Sequence, residues 1–363
     1  MEGGGGWPPP CLYSADQKPI MTASSRRSDA WLTAAIVTFC IAVGSTSAFA
    51  TDSERIRVGV RHTPGAGPLF IAAERYFASE GLEVRIEFLP SDMLVAKRVA
   101  SGELDIGLAE LDGPLFGYAA KHRLVFFASE FSDQAGYPAN ALLISNKAHA
   151  AGFRTMRDLP HKRIGMTTPG AGVRYSLQRV AVRYGLNPSS IETVWLKTYA
   201  GEVAALARGE IDAAMLPFEM ALTLRQAGKG ASIIRLSDLN EWQQGVVFAR
   251  RDTIDAKRHA IAAFARGYQL GVAEYDLTFQ QRGDEGDVLP GPHYADYLTL
   301  IGRQAKVAPA LIERTLRYCD HLARLNVTDV GRQLEFWQDL GFVDKRIAPA
   351  DLLDLSFIDQ HIE

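Results

Sequence analysis

Apolar and polar residues alternate over positions 56–60, Ile-Arg-Val-Gly-Val, the period of a half-buried strand. A helical stripe follows at Leu69, Ala72, Ala73, Tyr76 and Phe77, with Pro68 suited to its first turn and Gly81 to its stop. Alternation resumes over 82–89; 93–100 reads as a helix ended by Gly102, and 104–109 as a buried strand. This strand–helix–strand–helix–strand order predicts a mostly parallel sheet flanked by helices. A helix over 113–122 and strands over 124–129 and 141–145 continue the set.

From position 163 the plan repeats. Strands are predicted at 163–166, 191–196, 211–216 and 232–236, with helices over 173–184, 201–208 and 218–227. The repeat is also literal: Thr63-Pro64-Gly65-Ala66-Gly67 returns as Thr168-Pro169-Gly170-Ala171-Gly172, and Gly102-Glu103-Leu104-Asp105 as Gly209-Glu210-Ile211-Asp212. Each pentapeptide joins a strand to a helix, where backbone N–H groups and the positive helix end attract negative atoms. If the two units face each other, the turns frame one cleft. A strand over 246–249 returns to the first sheet, and later segments (257–275, 294–301, 309–325 and 327–340) read as helices covering it. The crossings, 132–140 with Tyr137 and 240–245 with Trp242, permit hinge closure.

Composition narrows the setting. With 363 residues and 47% hydrophobic content the chain can bury a sizeable core, and a net charge of −3 gives no case for nucleic acid. Arg26-Arg27, an apolar run over 31–43 and Ala48-Phe49-Ala50 are the three parts of a secretory signal, with Met21 as the expected start. The run is short of the roughly 20 residues that span a bilayer, so no stable membrane insertion is expected. Cys11 and Cys40 fall in the segment expected to be removed, leaving Cys319 in a helical pattern as a buried structural thiol. No His pair has metal-ligand spacing, neither Gly-rich turn has the third glycine of a dinucleotide site, and Gly-x-Ser-x-Gly is absent. No metal, cofactor or catalytic residue is expected.

Residues 55–250 resemble the solute-binding proteins of ABC importers of the sulfonate, taurine, nitrate and thiamine-precursor group. The resemblance rests on Arg57-Val58-Gly59; Phe70 to Phe77 leading to Gly81-Leu82-Glu83-Val84; Val99 to Gly107; Met156 to Gly165; and Gly209-Glu210-Ile211-Asp212-Ala213-Ala214. It implies an α/β, two-lobed periplasmic binding protein of type II, each lobe a mostly parallel sheet flanked by helices, with a ligand cleft between. The expected boundaries are 1–50 for extension and signal, 51–139 and 245–363 for lobe one, and 140–244 for lobe two. The implied partners are a small-molecule ligand, an ABC permease and its ATPase, with the protein a periplasmic monomer. Pyrimidine binding, or a synthase-like enzyme on the same fold, is the alternative; such enzymes carry a Cys-rich segment and a cofactor lysine.

By family position the ligand-facing residues follow the strand ends. In lobe one these are Thr63, Pro64, Gly65 and Ala66, then Glu110, Leu111 and Asp112. In lobe two they are Thr168, Gly170, Ala171, Gly172, Arg174 and Tyr175, then Phe218 and Glu219. Arg174 stands in a first helical turn, where the dipole disfavours a cation, so an anionic partner is expected: a sulfonate, a carboxylate or Glu219. Against this stand plainer roles: tight packing for the second turn, solvation for the charges, core burial for His62. If Glu110, Asp112 and Glu219 do line the cleft, the ligand carries an amine or hydroxyls, and a taurine-like zwitterion meets both demands.

Overall fold

The computed structural model describes residues 53–283 and 288–358. The signal segment, Cys11 and Cys40 lie outside the described residues. Four strands form before the first crossing: β1 (Glu54–Val60), β2 (Leu82–Phe88), β3 (Ile106–Glu110) and β4 (Leu124–Asp133). Five more follow: β5 (Asn140–Ile144), β6 (Arg163–Met166), β7 (Glu192–Trp195), β8 (Ala213–Pro217) and β9 (Ser232–Arg235). The chain then returns as β10 (Trp242–Arg250). One sheet has the order β2-β1-β3-β10-β4, the other β7-β6-β8-β5-β9. In each, the strand that follows a crossing lies fourth and antiparallel to its neighbours, while the first three are parallel. The two sheets are one plan built twice.

The Gly-Glu-x-Asp echo explains part of that identity. Asp105 accepts the backbone N–H of Arg57 at 2.9 Å and pairs with its guanidinium at 3.0 Å. Asp212 does the same for Arg163, at 2.9 and 3.1 Å. The arginines also donate to the carbonyls of Gly102 and Gly209, at 2.8 and 3.0 Å. Those glycines have φ of 79° and 70°, the left-handed region that ends a helix and favours glycine. Each anchor ties the first strand of its unit to the loop before the third.

Ile56, Val58 and Val60 on β1 are fully buried with Leu69, Phe70 and Ile71 of helix Gly67–Arg75. Helices Arg258–Phe279 and Tyr294–Ala305 close over the same face, supplying Phe264, Tyr268 and Ile301 to that core. Helix Val327–Asp339 covers the opposite face with Val330, Leu334 and Trp337. Among the described residues no helix is long and apolar enough to cross a membrane.

Three expectations change. The helix expected over 309–325 ends at Glu313. Beyond it the backbone finds tertiary partners instead: Cys319 N–H donates to Gln280 Oε1 at 2.6 Å, and Ser132 N–H to the Tyr318 carbonyl at 2.9 Å. Cys319 is buried there, its thiol donating to the Glu130 carbonyl at 3.3 Å. The crossings are shorter than expected, because β4 and β10 stay paired as far as Asp133 and Trp242. The C-terminal segment also does more than cover lobe one. Leu311 packs on the core of the second sheet, Arg317 pairs with Glu219 at 2.7 Å, and Asp329 accepts from Tyr175 Oη at 2.6 Å.

Candidate functional site

Side chains of both lobes converge where the strands end. Arg61 directly follows β1. Asp92 opens the helix after β2, whose cap Ser91 accepts from Leu94 N–H, and Glu110 closes β3. Arg61 pairs with Asp92 at 2.9 Å and with Glu110 at 2.8 Å. Gln244 donates to Glu110 at 3.1 Å and accepts from Asn140 at 2.8 Å, so the chain of polar contacts runs from the hinge into the cleft. From the second lobe Tyr199, at the start of helix Tyr199–Arg208, stands within electrostatic reach of Arg61, Asp92 and Glu110.

This cluster is enclosed but partly accessible. The side chains of Arg61, Asp92 and Glu110 keep 27, 24 and 32% of their surface accessible, although protein surrounds them. Burial works against the Arg61 charge, yet Asp92 and Glu110 outweigh it and hold the guanidinium charged. Burial also pushes the Asp92 carboxyl up, and Arg61 restrains that rise without cancelling it. Glu130 on β4 is 2% exposed and raised well above the usual carboxylate range by burial and by the charges of Asp92 and Glu110. Arg61 thus stands between Asp92 and Glu110, with the buried carboxyl groups of Asp112 and Glu130 within electrostatic reach. Among the described residues no group of three or more His, Cys, Asp or Glu is placed to hold a metal ion.

The residues expected from sequence divide. Glu110 belongs to this cluster, and Glu219 lies at its border through Arg317, whose charge Glu219, Glu110 and Asp133 together sustain against burial. Thr63 caps the first turn, its hydroxyl accepting from Gly65 N–H at 3.3 Å, while Pro64, Gly65 and Ala66 are buried. Leu111 is fully buried, and Asp112 caps helix Gly113–His122 by accepting from Leu115 N–H at 2.6 Å. Thr168 is exposed, and Ala171 is half-buried, its N–H donating to the Thr168 carbonyl. Gly170 accepts from Gly113 N–H at 2.9 Å, and Gly172 lies against the Leu111 carbonyl, so the second turn joins the lobes. Arg174 donates to the Pro169 carbonyl at 2.8 Å and lies over the Trp195 ring. Tyr175 is buried against Trp242 and Phe336. Phe218 borders a 660 Å³ hollow with Pro138, Leu222, Leu239 and Arg225; that open groove lies apart from the charged cluster. His62 is half-buried and not in the core; it stacks on Phe88 and shares a 2.6 Å hydrogen bond with the Gln304 carbonyl.

Arg61, Asp92, Glu130, Gln244 and Tyr199 were not among the expected residues. Arg61 and Asp92 satisfy the same strand-end rule that selected Glu110. Glu130 carried a different signal, a charge next to the apolar run Val125-Phe126-Phe127-Ala128. Because β4 runs to Asp133, that charge lies inside a buried strand.

Solved structures share this architecture. The alkanesulfonate-binding protein SsuA from Xanthomonas axonopodis pv. citri, bound to MOPS, is 19% identical with a TM-score of 0.60, covering 83% of this chain and 98% of its own. The periplasmic aliphatic sulphonate binding protein SsuA from Escherichia coli is 16% identical with a TM-score of 0.62, covering 83 and 97%. The desulfurization enzyme DSZB has the same fold, at 12% identity and a TM-score of 0.55, covering 84 and 97%. No curated protein matches the sequence. The NMT1/THI5 like family model matches residues 63–275, more than half of the chain, which therefore belongs to that family.

Proposed function

We propose that this protein is the substrate-binding component of an ABC importer, closing two lobes over a small organic solute and delivering it to a permease and its ATPase. The observation that carries the reading is the enclosed, partly accessible Arg61–Asp92–Glu110 cluster, within electrostatic reach of Tyr199 from the other lobe. A solute touching both sides favours the closed form by the contacts it makes only there. The periplasm fits the expected signal segment and the named locations of the relatives with this fold. The work proposed is binding without chemistry; burial pushes the Cys319 thiol well up, which disfavours its thiolate.

The sulfonates named for the relatives put small organic anions first as ligands. Arg61 is the cleft cation for such a group, and the anion displaces Asp92, the carboxyl already pushed toward its neutral form. Thermal unfolding of ligand-free refolded protein against sulfonates, aminosulfonates, aromatic carboxylates, nitrate and pyrimidines tests this. Ligand at about 100 times its Kd adds about 2.7 kcal/mol, a shift of a few degrees. The shift is expected to vanish in Arg61→Ala and shrink in Tyr199→Phe. No shift with any class sinks the reading.

A further inference from the structure

We propose that the groove along β9 is a docking site for an extended segment of a partner protein, apolar at its centre and acidic at both ends. The proposal goes beyond the solute-binding reading and does not depend on it. β9 is an edge strand: β5 is its neighbour, and among the described residues no strand lies on its other side. Ile233 packs with Phe218 and Leu222 of helix Phe218–Gln226, whereas Ile234 packs on the core of the opposite face. Both nevertheless line the 660 Å³ hollow, so the hollow follows the free edge of the strand, with Leu222 on one side and Leu239 on the other.

Three arginines line this groove. Arg235 pairs at 2.7 Å with Asp238, the one carboxylate in the lining. Arg225 and Arg314 are exposed, and among the described residues neither side chain has a hydrogen-bond or carboxylate partner. They stand toward opposite ends. Arg225 is two helical turns beyond Phe218, roughly 10 Å along the axis. Arg314 shortly precedes Arg317, which donates to the Pro138 carbonyl at the Phe218 end, where Phe218 N–H meets the Ala139 carbonyl.

A free strand edge offers backbone donors and acceptors that an extended segment can complete as a further strand. Four positions along a strand, about 13 Å, return to the same face, so carboxylates at that spacing reach Arg225 and Arg314 together. The apolar residues between them meet the isoleucines and leucines of the groove. A second copy of this chain is a poorer match, because edge-to-edge pairing would set the unpaired arginines of one groove against those of the other.

Fluorescence anisotropy with the labelled peptide Ser-Glu-Ile-Val-Ile-Glu-Ser tests this. Two controls carry lysine for both glutamates or proline for the central valine. The glutamate peptide is expected to saturate the protein, and each control to bind at least about tenfold more weakly, through reversed charge or a lost ladder donor. Arg225→Glu and Arg314→Glu are each expected to weaken the glutamate peptide about five- to tenfold while sparing the unfolding midpoint. Absence of saturation overturns the proposal, as does equal binding of the glutamate peptide and either control. Unchanged binding in both folded variants also overturns it. A dimer in sedimentation velocity that excludes the peptide means that a second copy covers the edge, which overturns the choice of partner.

Discussion

Thr63–Gly67 and Thr168–Gly172 are the same five residues at equivalent points of two equivalent sheets, and they have different neighbours. In the first, Gly65 lies on the Phe131 ring and Gly67 on Tyr275 and Ile301, all within the core of lobe one. In the second, Gly170 meets Pro114 and Phe342, and Gly172 meets the Leu111 carbonyl and Trp242, outside the second sheet's own core. The helices after β10 make the difference, since they cover lobe one and leave its counterpart free to meet lobe one. A duplicated sequence therefore gives one turn to folding and the other to lobe contact. The pentapeptide needs glycine in both places for the same steric reason, close approach.

The largest effects come from filling those two approaches. A Cβ at Gly65 would lie 2.5 Å from Phe131, and one at Gly172 would lie 2.3 Å from the Leu111 carbonyl oxygen. Each alanine is expected to cost up to about 3 kcal/mol of overpacking, with different consequences. Gly65→Ala lowers the unfolding midpoint. Gly172→Ala parts the lobes, raising the radius of gyration in solution scattering while sparing the midpoint. Unchanged scattering with a lowered midpoint in Gly172→Ala would erase the contrast.

The paired anchors sharpen it at smaller scale. The Asp105 side chain is 4% exposed and also receives Lys257 at 3.0 Å, whereas Asp212 is 22% exposed. Asp105→Asn is expected to cost about 2 kcal/mol and Asp212→Asn about 1 kcal/mol in denaturant unfolding. Equal losses would mean that burial does not separate the two sites.

Acid and alkali act on different groups. Burial opposes the charges of Asp105 and Asp212, but their arginines more than offset it and hold both below the usual range. Their stabilisation is present above the unfolded carboxylate range and is lost as pH falls through it. Burial instead pushes Glu202 up to about 8 and Asp133 up to about 7. For these the folded state binds more protons, so stability declines as pH rises from about 4 toward those values. Urea midpoints are therefore expected to peak near pH 5 and fall on both sides; a steady rise from pH 5 to 8 would contradict the second group. The smallest effect belongs to Arg174→Ala. Its contacts are the Pro169 carbonyl and the Trp195 ring, so a stability change under about 0.5 kcal/mol and unaltered ligand affinity are expected.

Much of the fold was legible because it is written in short-range pattern. Residues 163–166 and 113–122 match their elements end for end, and the literal repeat foretold two sheets of one plan. The misread helix over 309–325 shows where pattern stops: its apolar spacing suits a helix, but Gln280 and Ser132 offer the backbone better-placed partners. The candidate site was legible at Glu110, at Asp112 within electrostatic reach of it, and, at its edge, at Glu219. The strand-end rule could have reached Arg61 and Asp92, and it could not have shown that they close on each other.

The sequence by itself determined the repeat, the strand-to-helix turns and the glycines they require, because those depend on residues a few positions apart or on motifs that recur. Only the tertiary structure decided which identical turn joins the lobes and which carboxylates share Arg61. Those outcomes depend on charges brought together across two lobes, where burial and neighbouring charge, absent from any local window, set the energy of each group.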